Sequence, residues 1–361
     1  MRILLINHPG VNSNLGCQAS LDGLVRCLRA GGADHIDILP DKLVRDIMFP
    51  AQVKAVSSII RYWKPRNPSD TNDSIIKKGV SIAKKQSSHI DRLIVERWQE
   101  NVRRILTRER SLVDIIRRSD RVVINGGGTL HHDRPAALSL FAIARAAQIN
   151  GKEVHVVNST IQAMHPEILK AVLIEAGRVA VREKRTLEYL KGLGIAAELS
   201  SDSICAADFH KEPGEFLLPE RIDKENACLI TSGVISVRQR IMPIVKTLRD
   251  AGYLPFYFMA CRDDELNNWL ISSLRSANVP IVQHGVIPWQ DMLHYLKKIR
   301  LVVSGRYHIN IMSRMAGVPF VPLASNTWKM EGARELYGWP VPVLAGESGL
   351  NDALSSLIVN R

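Results

Sequence analysis

The chain has 361 residues and lacks any clustered set of cysteines. Its five (Cys17, Cys27, Cys205, Cys228 and Cys261) are odd in number, far apart and form no CxxC. This argues against a disulfide framework or a thiolate zinc site, and for a reducing, cytoplasmic compartment. No apolar run reaches the roughly 18–20 residues that a membrane-spanning helix needs. The opening stretch Met1–Asn7 is too short for a secretory core and reads as a first strand. The named nucleotide, metal and nucleophile signatures are missing too: no GxGxxG, Walker A loop, GxSxG elbow, HExxH or EF-hand loop occurs. Without a zinc finger or RNA-recognition motif, nucleic acid is not an expected partner.

What is present is an ordinary globular composition, 46% hydrophobic and 23% charged, long enough for two domains. The net charge of +12 is concentrated in one place. Between Lys42 and Arg121 stand 19 lysines or arginines against 9 acidic residues, so +10 of the excess lies there. Such a stretch can hold a protein to anionic headgroups or steer phosphate-bearing ligands. Solvated helix faces are the plainer alternative.

Apolar strand patterns alternate with helical ones. Strands are expected at Ile3–Asn7, Ile36–Leu39, Arg121–Asn125, Val154–Asn158, Arg178–Arg182 and Glu198–Ser200. A second series covers Cys228–Thr231, Pro255–Met259, Pro280–Gln283, Leu301–Ser304 and Phe320–Leu323. The fold class is therefore α/β, two doubly wound Rossmann-like domains facing a cleft. The polar, proline-bearing stretch His210–Asp223 marks the boundary. It gives an N-terminal domain 1–210, with a basic insertion at about 42–121, and a C-terminal domain 211–361. Residues 61–88 are polar and weakly patterned, as in a basic loop; a continuous helix is expected over Ile90–Arg118.

Ligands of open α/β sheets bind at the carboxyl ends of strands, which selects the candidate residues. Leu301–Ser304 stops at Gly305 and delivers Arg306, Tyr307 and His308 at the mouth of a helix. A fixed cation beside an imidazole suits an anionic substrate that needs a proton moved. A second strand runs through Asn125 into Gly126, Gly127 and Gly128, then His131, His132 and Asp133. Successive glycines let backbone N–H groups approach a ligand. Adjacent histidines do not easily share one metal ion, so no metal is expected. Arg182 ends a strand and can grip a carboxylate or phosphate, or pair with Glu183 or another neighbour. Asn14 and Gly16 lie in the loop after the first strand, and Asn326 and Lys329 follow the last one.

Taken together, these segments resemble the polysaccharide pyruvyl transferase family. The likeness is carried by Asn14-Leu15-Gly16 with Ala19, by Gly126-Gly127-Gly128, and by Val181-Arg182-Glu183 through Leu193-Gly194-Ile195 to Ser201-Asp202. It continues through Ser304-Gly305-Arg306-Tyr307-His308, Ala316-Gly317-Val318-Pro319-Phe320, Asn326 and Lys329. The resemblance implies a GT-B-like fold and transfer of pyruvate from phosphoenolpyruvate, a co-substrate, to a sugar, with no cofactor. It implies donor binding by Arg182, Arg306, Tyr307 and His308, and an acceptor role for His131 or His132. The chain departs from the family in having Gly16-Cys17 where Gly-Asp is usual, Val157 to Gln162 where a Gly-Gln-rich segment is common, and Tyr307 where leucine is common.

On this reading Arg182 and Arg306 hold the donor from opposite domains. His308 supplies a proton and His131 or His132 acts as base. The expected acceptor is a glycan or lipid-linked sugar of a bacterial-type surface polysaccharide. The basic stretch would favour peripheral attachment to an anionic membrane surface, at the inner face of the plasma membrane. The alternative is a GT-B-like glycosyltransferase with a nucleotide-sugar donor. A non-catalytic binder of anionic glycans or nucleic acid is the remaining class.

Overall fold

The computed structural model describes residues 1–8, 14–40, 73–212, 214, 216–220, 222–233, 238–261 and 268–359. The chain forms two α/β units. The first holds Met1–His8, Ala33–Ala180 and Tyr189–Glu198; the second holds Pro9–Gly32, Val181–Glu188 and Leu199–Arg361. The division is not the single cut expected at residue 210. The His210–Asp223 stretch lies inside the second unit as an irregular segment. Its His210 imidazole meets the buried Asp291 carboxylate at 3.0 Å, and Lys298 Nζ donates to the Phe216 carbonyl at 2.6 Å. Proline and polarity there mark a loop, which sequence alone cannot tell from a linker.

The first sheet has the order β2-β1-β3-β4-β5-β6, from β1 (Arg2–His8), β2 (His35–Pro40), β3 (Arg121–Gly127), β4 (Glu153–Ser159), β5 (Arg178–Val181) and β6 (Glu198–Leu199). Strand β1 pairs in parallel with β2 on one side and β3 on the other. The order therefore reverses between β1 and β3. The helix Pro135–Ile149 is apolar nearly all round, and nine of its residues are buried, as a helix packed on several sides requires.

The second sheet runs β11-β10-β7-β8-β9, from β7 (Ala227–Thr231), β8 (Leu254–Phe258), β9 (Ile281–Val282), β10 (Leu301–Ser304) and β11 (Phe320–Pro322). Its order reverses between β7 and β10, again with parallel pairing. Strands β7 and β10 are apolar without alternation, as a parallel sheet covered on both faces dictates. Leu229, Phe256, Val302 and Phe320 bury one face beneath Leu15, Met292, Tyr307 and Met312. Cys228, Ile230, Tyr257 and Val303 bury the other beneath Ile244, Leu248 and Leu354.

All eleven expected strands occur, with bounds shifted by a residue or two. The helices differ more. Residues 73–88, expected as part of a basic loop, belong to a helix spanning Asp73–Arg108. The helix expected over Ile90–Arg118 is broken at Glu109 (φ −94°, ψ 61°) and resumes as Arg110–Arg118. The stretch contains no proline to stop a helix, and its polarity is compatible with a solvated one. The remainder of the basic stretch, residues 42–72, lies outside the described residues, as does most of the loop after β1. Two helices, Lys329–Tyr337 and Leu350–Val359, were not expected. No described helix is long and apolar enough to cross a membrane.

The helix Leu15–Ala30 follows β1 in sequence but packs in the second unit, against the short turn Ser203–Ala206. A β-carbon at Gly23 would overlap the Ser203 carbonyl oxygen, which is backbone and cannot swing aside. Gly23→Ala should therefore destabilise the protein by about 1–3 kcal/mol. Gly192→Ala, at the end of a helix with open space beside it, should be neutral or slightly stabilising. Urea-unfolding midpoints of the two variants test the contrast.

Candidate active site

In the second unit, the reversal of strand order falls where β7 and β10 end. The chain leaves β10 through Gly305, whose N–H donates to the Thr231 carbonyl at 2.9 Å, and close against Gly233, where side chains at either glycine would collide. Ser304 Oγ accepts the Arg306 N–H at 3.0 Å, and Asn310 Nδ2 donates to the Ser304 carbonyl at 3.1 Å. These bonds fix the start of the helix Tyr307–Met315, with Arg306 as its N-cap residue but no side-chain cap.

Arg182 stands just beyond β5 and is 1% exposed. Its Nη1 donates to Asp202 Oδ2 at 2.8 Å, and its guanidinium lies over the Tyr307 ring, 4.4 Å from the centroid. His308 Nε2 is 3.5 Å from the same Asp202 oxygen and 3.4 Å from Arg182 Nη1. Asp202 Oδ1 accepts from the Ile204 N–H at 3.0 Å and from Ser20 Oγ at 3.3 Å. Burial would push the Asp202 carboxyl up, but His308 and Arg182 outweigh it and hold it well below the usual carboxylate range. Burial likewise opposes charge on His308, yet Asp202 and then Cys17 raise its pKa. The Tyr307 phenol is pushed up, chiefly by burial.

Glu183 is not the partner of Arg182, although it follows directly. Its carboxylate caps the next helix through the Thr186 N–H at 3.1 Å and accepts from Trp328 Nε1 at 3.2 Å. Gly332 leaves room for it, since a β-carbon there would overlap the carboxylate. Burial raises the Glu183 pKa. Trp328 precedes Lys329, whose Nζ donates to Asn326 Oδ1 at 2.8 Å. Arg306 is placed differently from Arg182. It is half-buried, its Nη2 donates to Cys261 Sγ at 2.8 Å, and its Nε has no hydrogen-bond partner. Among the described residues no carboxylate pairs with it.

The structure thus brings Arg182, Tyr307 and His308 together. It stacks Gly16 under the His308 ring, uses Asn14 to cap the helix at Leu15, and pairs Asn326 with Lys329. Arg182 and Arg306, expected from opposite domains, both belong to the second unit. The cause is that Val181–Glu188 leaves β5 to join that unit, anchored by Asp202 and Trp328. Sequence reasoning has Asp202 only as part of the family resemblance, with no role, Cys17 only as a departure from the family, and Glu183 only as a possible partner of Arg182; it does not single out Trp328. Asp202 sits between two serines, and nothing local says which cation it meets.

The other candidates lie in the first unit, at the reversal between β1 and β3. Asn7, Asn125 and Asn158 are buried together; Asn7 Nδ2 donates to the Asn125 carbonyl at 2.5 Å, and Asn158 Nδ2 to Asn125 Oδ1 at 3.2 Å. Gly126 packs against Ser159, with no room for a β-carbon, and Gly127 has φ +49°. With Gly128 they form a turn closed by the Thr129 N–H on the Gly126 carbonyl at 3.0 Å. His131 is buried, His132 is exposed, and their Nδ1 atoms are 2.8 Å apart. One must donate and the other accept, so the pair shares a single bridging proton. Burial and then Arg134 lower the His132 pKa, while burial raises that of Asp133, which accepts the His165 N–H at 2.8 Å.

Two Rossmann-like α/β units with these strand orders define a GT-B-like protein, and comparison with solved structures agrees. The S. aureus MnaA-UDP co-structure aligns at TM-score 0.59 and 11% identity, over 99% of this chain and 88% of that one. UDP-GlcNAc 2-epimerase from Methanocaldococcus jannaschii, in complex with UDP-GlcNAc and UDP, aligns at 0.58 and 12%, over 100% and 93%. At such identity the likeness shows the fold alone. No curated protein matches the sequence significantly. The polysaccharide pyruvyl transferase model, however, matches residues 14–327, and the chain belongs to that family. It is accordingly a transferase of polysaccharide biosynthesis.

Asp202→Asn would leave the Arg182 charge buried without its partner, at a cost of about 3–5 kcal/mol. Thermal or urea unfolding reads the loss. The pH dependence has a definite sign. A raised folded pKa means that the His308 contribution is complete below its unfolded value, about 6.5, and fades as pH rises through the folded value. The lowered Asp202 pKa acts oppositely, contributing above the ordinary carboxylate range and failing as pH falls through it. The stability difference between wild type and His308→Gln should therefore shrink as pH rises above about 6.5, measured by urea titration at each pH.

Proposed function

We propose that the protein transfers pyruvate from phosphoenolpyruvate to two hydroxyls of a sugar, forming a ketal on a surface polysaccharide or its lipid-linked precursor. The observation that carries this reading is Arg306. It is a half-buried guanidinium with an unpartnered Nε, and among the described residues no carboxylate pairs with it. It also stands at the N-terminus of the Tyr307–Met315 helix, beside a protonatable His308. A cation of this kind at a helix N-terminus favours an anionic group, and the donor carries a carboxylate and a phosphate.

In the proposed reaction His308 protonates the methylene carbon of phosphoenolpyruvate, making it a methyl group and leaving a cationic centre at C2. A sugar hydroxyl attacks C2 and loses its proton, and the C2–O bond to phosphate breaks. The second hydroxyl then closes the ketal. Of the two hydroxyl protons, one balances that spent on the methyl group and the other accompanies phosphate. His131 and His132, sharing one proton, are the proposed base for the acceptor. Arg306 and Lys329 bind the donor anions. Arg182, already neutralised by Asp202, orients His308 and Tyr307. General acid–base steps contribute about 10²–10⁴ each. The basic Lys42–Arg121 stretch is the proposed point of attachment to an anionic membrane at its inner face.

A nucleotide-sugar donor is the second reading, favoured by the UDP and UDP-GlcNAc named for the fold neighbours. The same cations suit a diphosphate. Phosphate release from phosphoenolpyruvate, supplied with a panel of glycan and lipid-linked acceptors, decides between them. We expect release with at least one acceptor, and a loss of at least about 100-fold in His308→Ala and Arg306→Ala. Turnover of a nucleotide sugar, with none of phosphoenolpyruvate, would overturn the main reading.

A further inference from the structure

Glu183 follows Arg182 directly, yet the reaction as proposed gives it nothing to do. Its side chain is fully buried, and both carboxylate oxygens lie 3.1 Å from the Thr186 N–H, which caps the helix Lys184–Gly192. Capping alone does not call for glutamate. Helix caps are ordinarily the shorter Ser, Thr, Asp or Asn, and burying a carboxylate carries a desolvation cost that a surface cap avoids. What the extra methylene adds is reach. Trp328 Nε1 donates to Glu183 Oε1 at 3.2 Å and lies 3.3 Å from Thr186 Oγ1, which itself donates to Glu183 Oε1. Gly332, whose N–H donates to the Trp328 carbonyl at 2.8 Å, makes this approach possible, since a β-carbon there would overlap the carboxylate.

Trp328 belongs to the stretch that carries Asn326 and Lys329, whose side chains bond each other at 2.8 Å. Strand β11 pairs with β10, with Pro322 beside Ser304, and the Leu323 N–H donates to the Ser304 carbonyl at 2.8 Å. The chain therefore leaves β11 next to the turn that carries Arg306. Further on, Met330 Sδ lies 3.8 Å from Asn310 Nδ2, on the helix Tyr307–Met315. We propose that Glu183, acting through the Trp328 indole, is the positioning residue of the Asn326–Lys329 pair and holds it in register with Arg182. This inference rests on the reading of Lys329 as a contact of the donor anion. A lysine is a point charge on a flexible stem, so its use in binding depends on how firmly its backbone is placed. The contact of Arg185 Nε with Glu335 Oε1 at 2.8 Å joins the same two helices, but it is exposed and contributes little. All these residues belong to the second unit.

Two measurements test the role. The first is the KM for phosphoenolpyruvate in wild type, Trp328→Phe, Lys329→Met and the double variant. Phenylalanine keeps an aromatic ring but has no N–H to donate. Trp328→Phe should raise KM at least about 10-fold and leave kcat within about twofold, as lost binding does. Because the indole acts through Lys329, that rise should vanish in the Lys329→Met background. Glu183→Asp separates positioning from capping. Aspartate keeps the charge and caps helices well, but it is one methylene short of the indole, and it should reproduce the rise in KM. A KM for Glu183→Asp equal to that of wild type, or a Trp328→Phe effect of the same size with and without Lys329, overturns the proposal.

The second measurement needs no substrate. Amide hydrogen exchange over residues 323–331, read by peptide mass spectrometry, is compared in wild type, Trp328→Phe and Glu183→Asp. Exchange of this stretch should quicken at least about 10-fold in both variants, while the helix Ile241–Asp250 keeps its wild-type rate. Unchanged exchange over 323–331, or an equal acceleration in both segments, overturns the positioning role. Faster exchange confined to 323–331, in a protein that never releases phosphate from phosphoenolpyruvate, would sink the donor reading and leave the positioning role standing.

Discussion

The buried ion pair of Arg182 with Asp202 is the constraint on which the site depends. A guanidinium 1% exposed is tolerated only if its charge is met in place, because taking an ion out of water costs several kcal/mol. Asp202 meets that charge at 2.8 Å, the Tyr307 face covers it at 4.4 Å, and His308 shares the same carboxylate oxygen. Each partner comes from a different segment: the residue after β5, the turn after β6, and the helix after β10. The pair thus holds three separate pieces of chain in one register. It also accounts for Val181–Glu188 belonging to the second unit while the strand that precedes it belongs largely to the first.

This pairing divides the labour between the two arginines. Arg182 and Asp202 together are close to neutral, so a second anion gains little there that the carboxylate has not already taken. Arg306 meets a sulfur and leaves a buried Nε unmatched, a state that an incoming anion relieves. On the proposed reading, electrostatics favours Arg306 for binding and Arg182 for organisation, although both residues read alike in the sequence. His308 lies beside Arg182 and shares the Asp202 carboxylate with it.

Much of the fold was legible because buried parallel strands are written as apolar runs. Val122-Val123-Ile124, Cys228 to Ile230 and Leu301 to Val303 could be little else. Arg306, Tyr307 and His308 were legible for a related reason, since polar residues crowded just after such a run have no structural need to be there. What escaped was long-range. Nothing near Asp202 says that it will meet Arg182, twenty residues earlier, and nothing near Gly16 announces the His308 side chain that packs against it. The place of the helix Leu15–Ala30 in the second unit is not legible, because amphipathic pattern reports that a face is buried and not what buries it. The long helix from Asp73 was missed for the converse reason, that a polar helix and a polar loop share a composition.

The two sheets place different chemistry at equivalent points. Where strand order reverses in the second unit, the groups are ionic: Arg182, Asp202, His308, Arg306 and Lys329. At the reversal in the first unit they are amides and imidazoles: Asn7, Asn125, Asn158, His131 and His132. Asn7 and Asn158 accept left-handed backbone angles there, φ +75° and +53°, and amide side chains tolerate such angles better than most. Asn158 bonds the Asn125 side chain and Asn7 the Asn125 backbone carbonyl; the three buried amides carry donors and acceptors but no charge, which suits recognition of hydroxyls and gives an anion no advantage. The proposed transfer from an anionic donor to a neutral sugar would make these separate demands. The contrast is a property of each unit taken alone, and it arises because the same doubly wound topology offers one switch point per sheet and leaves the residues placed there free to differ.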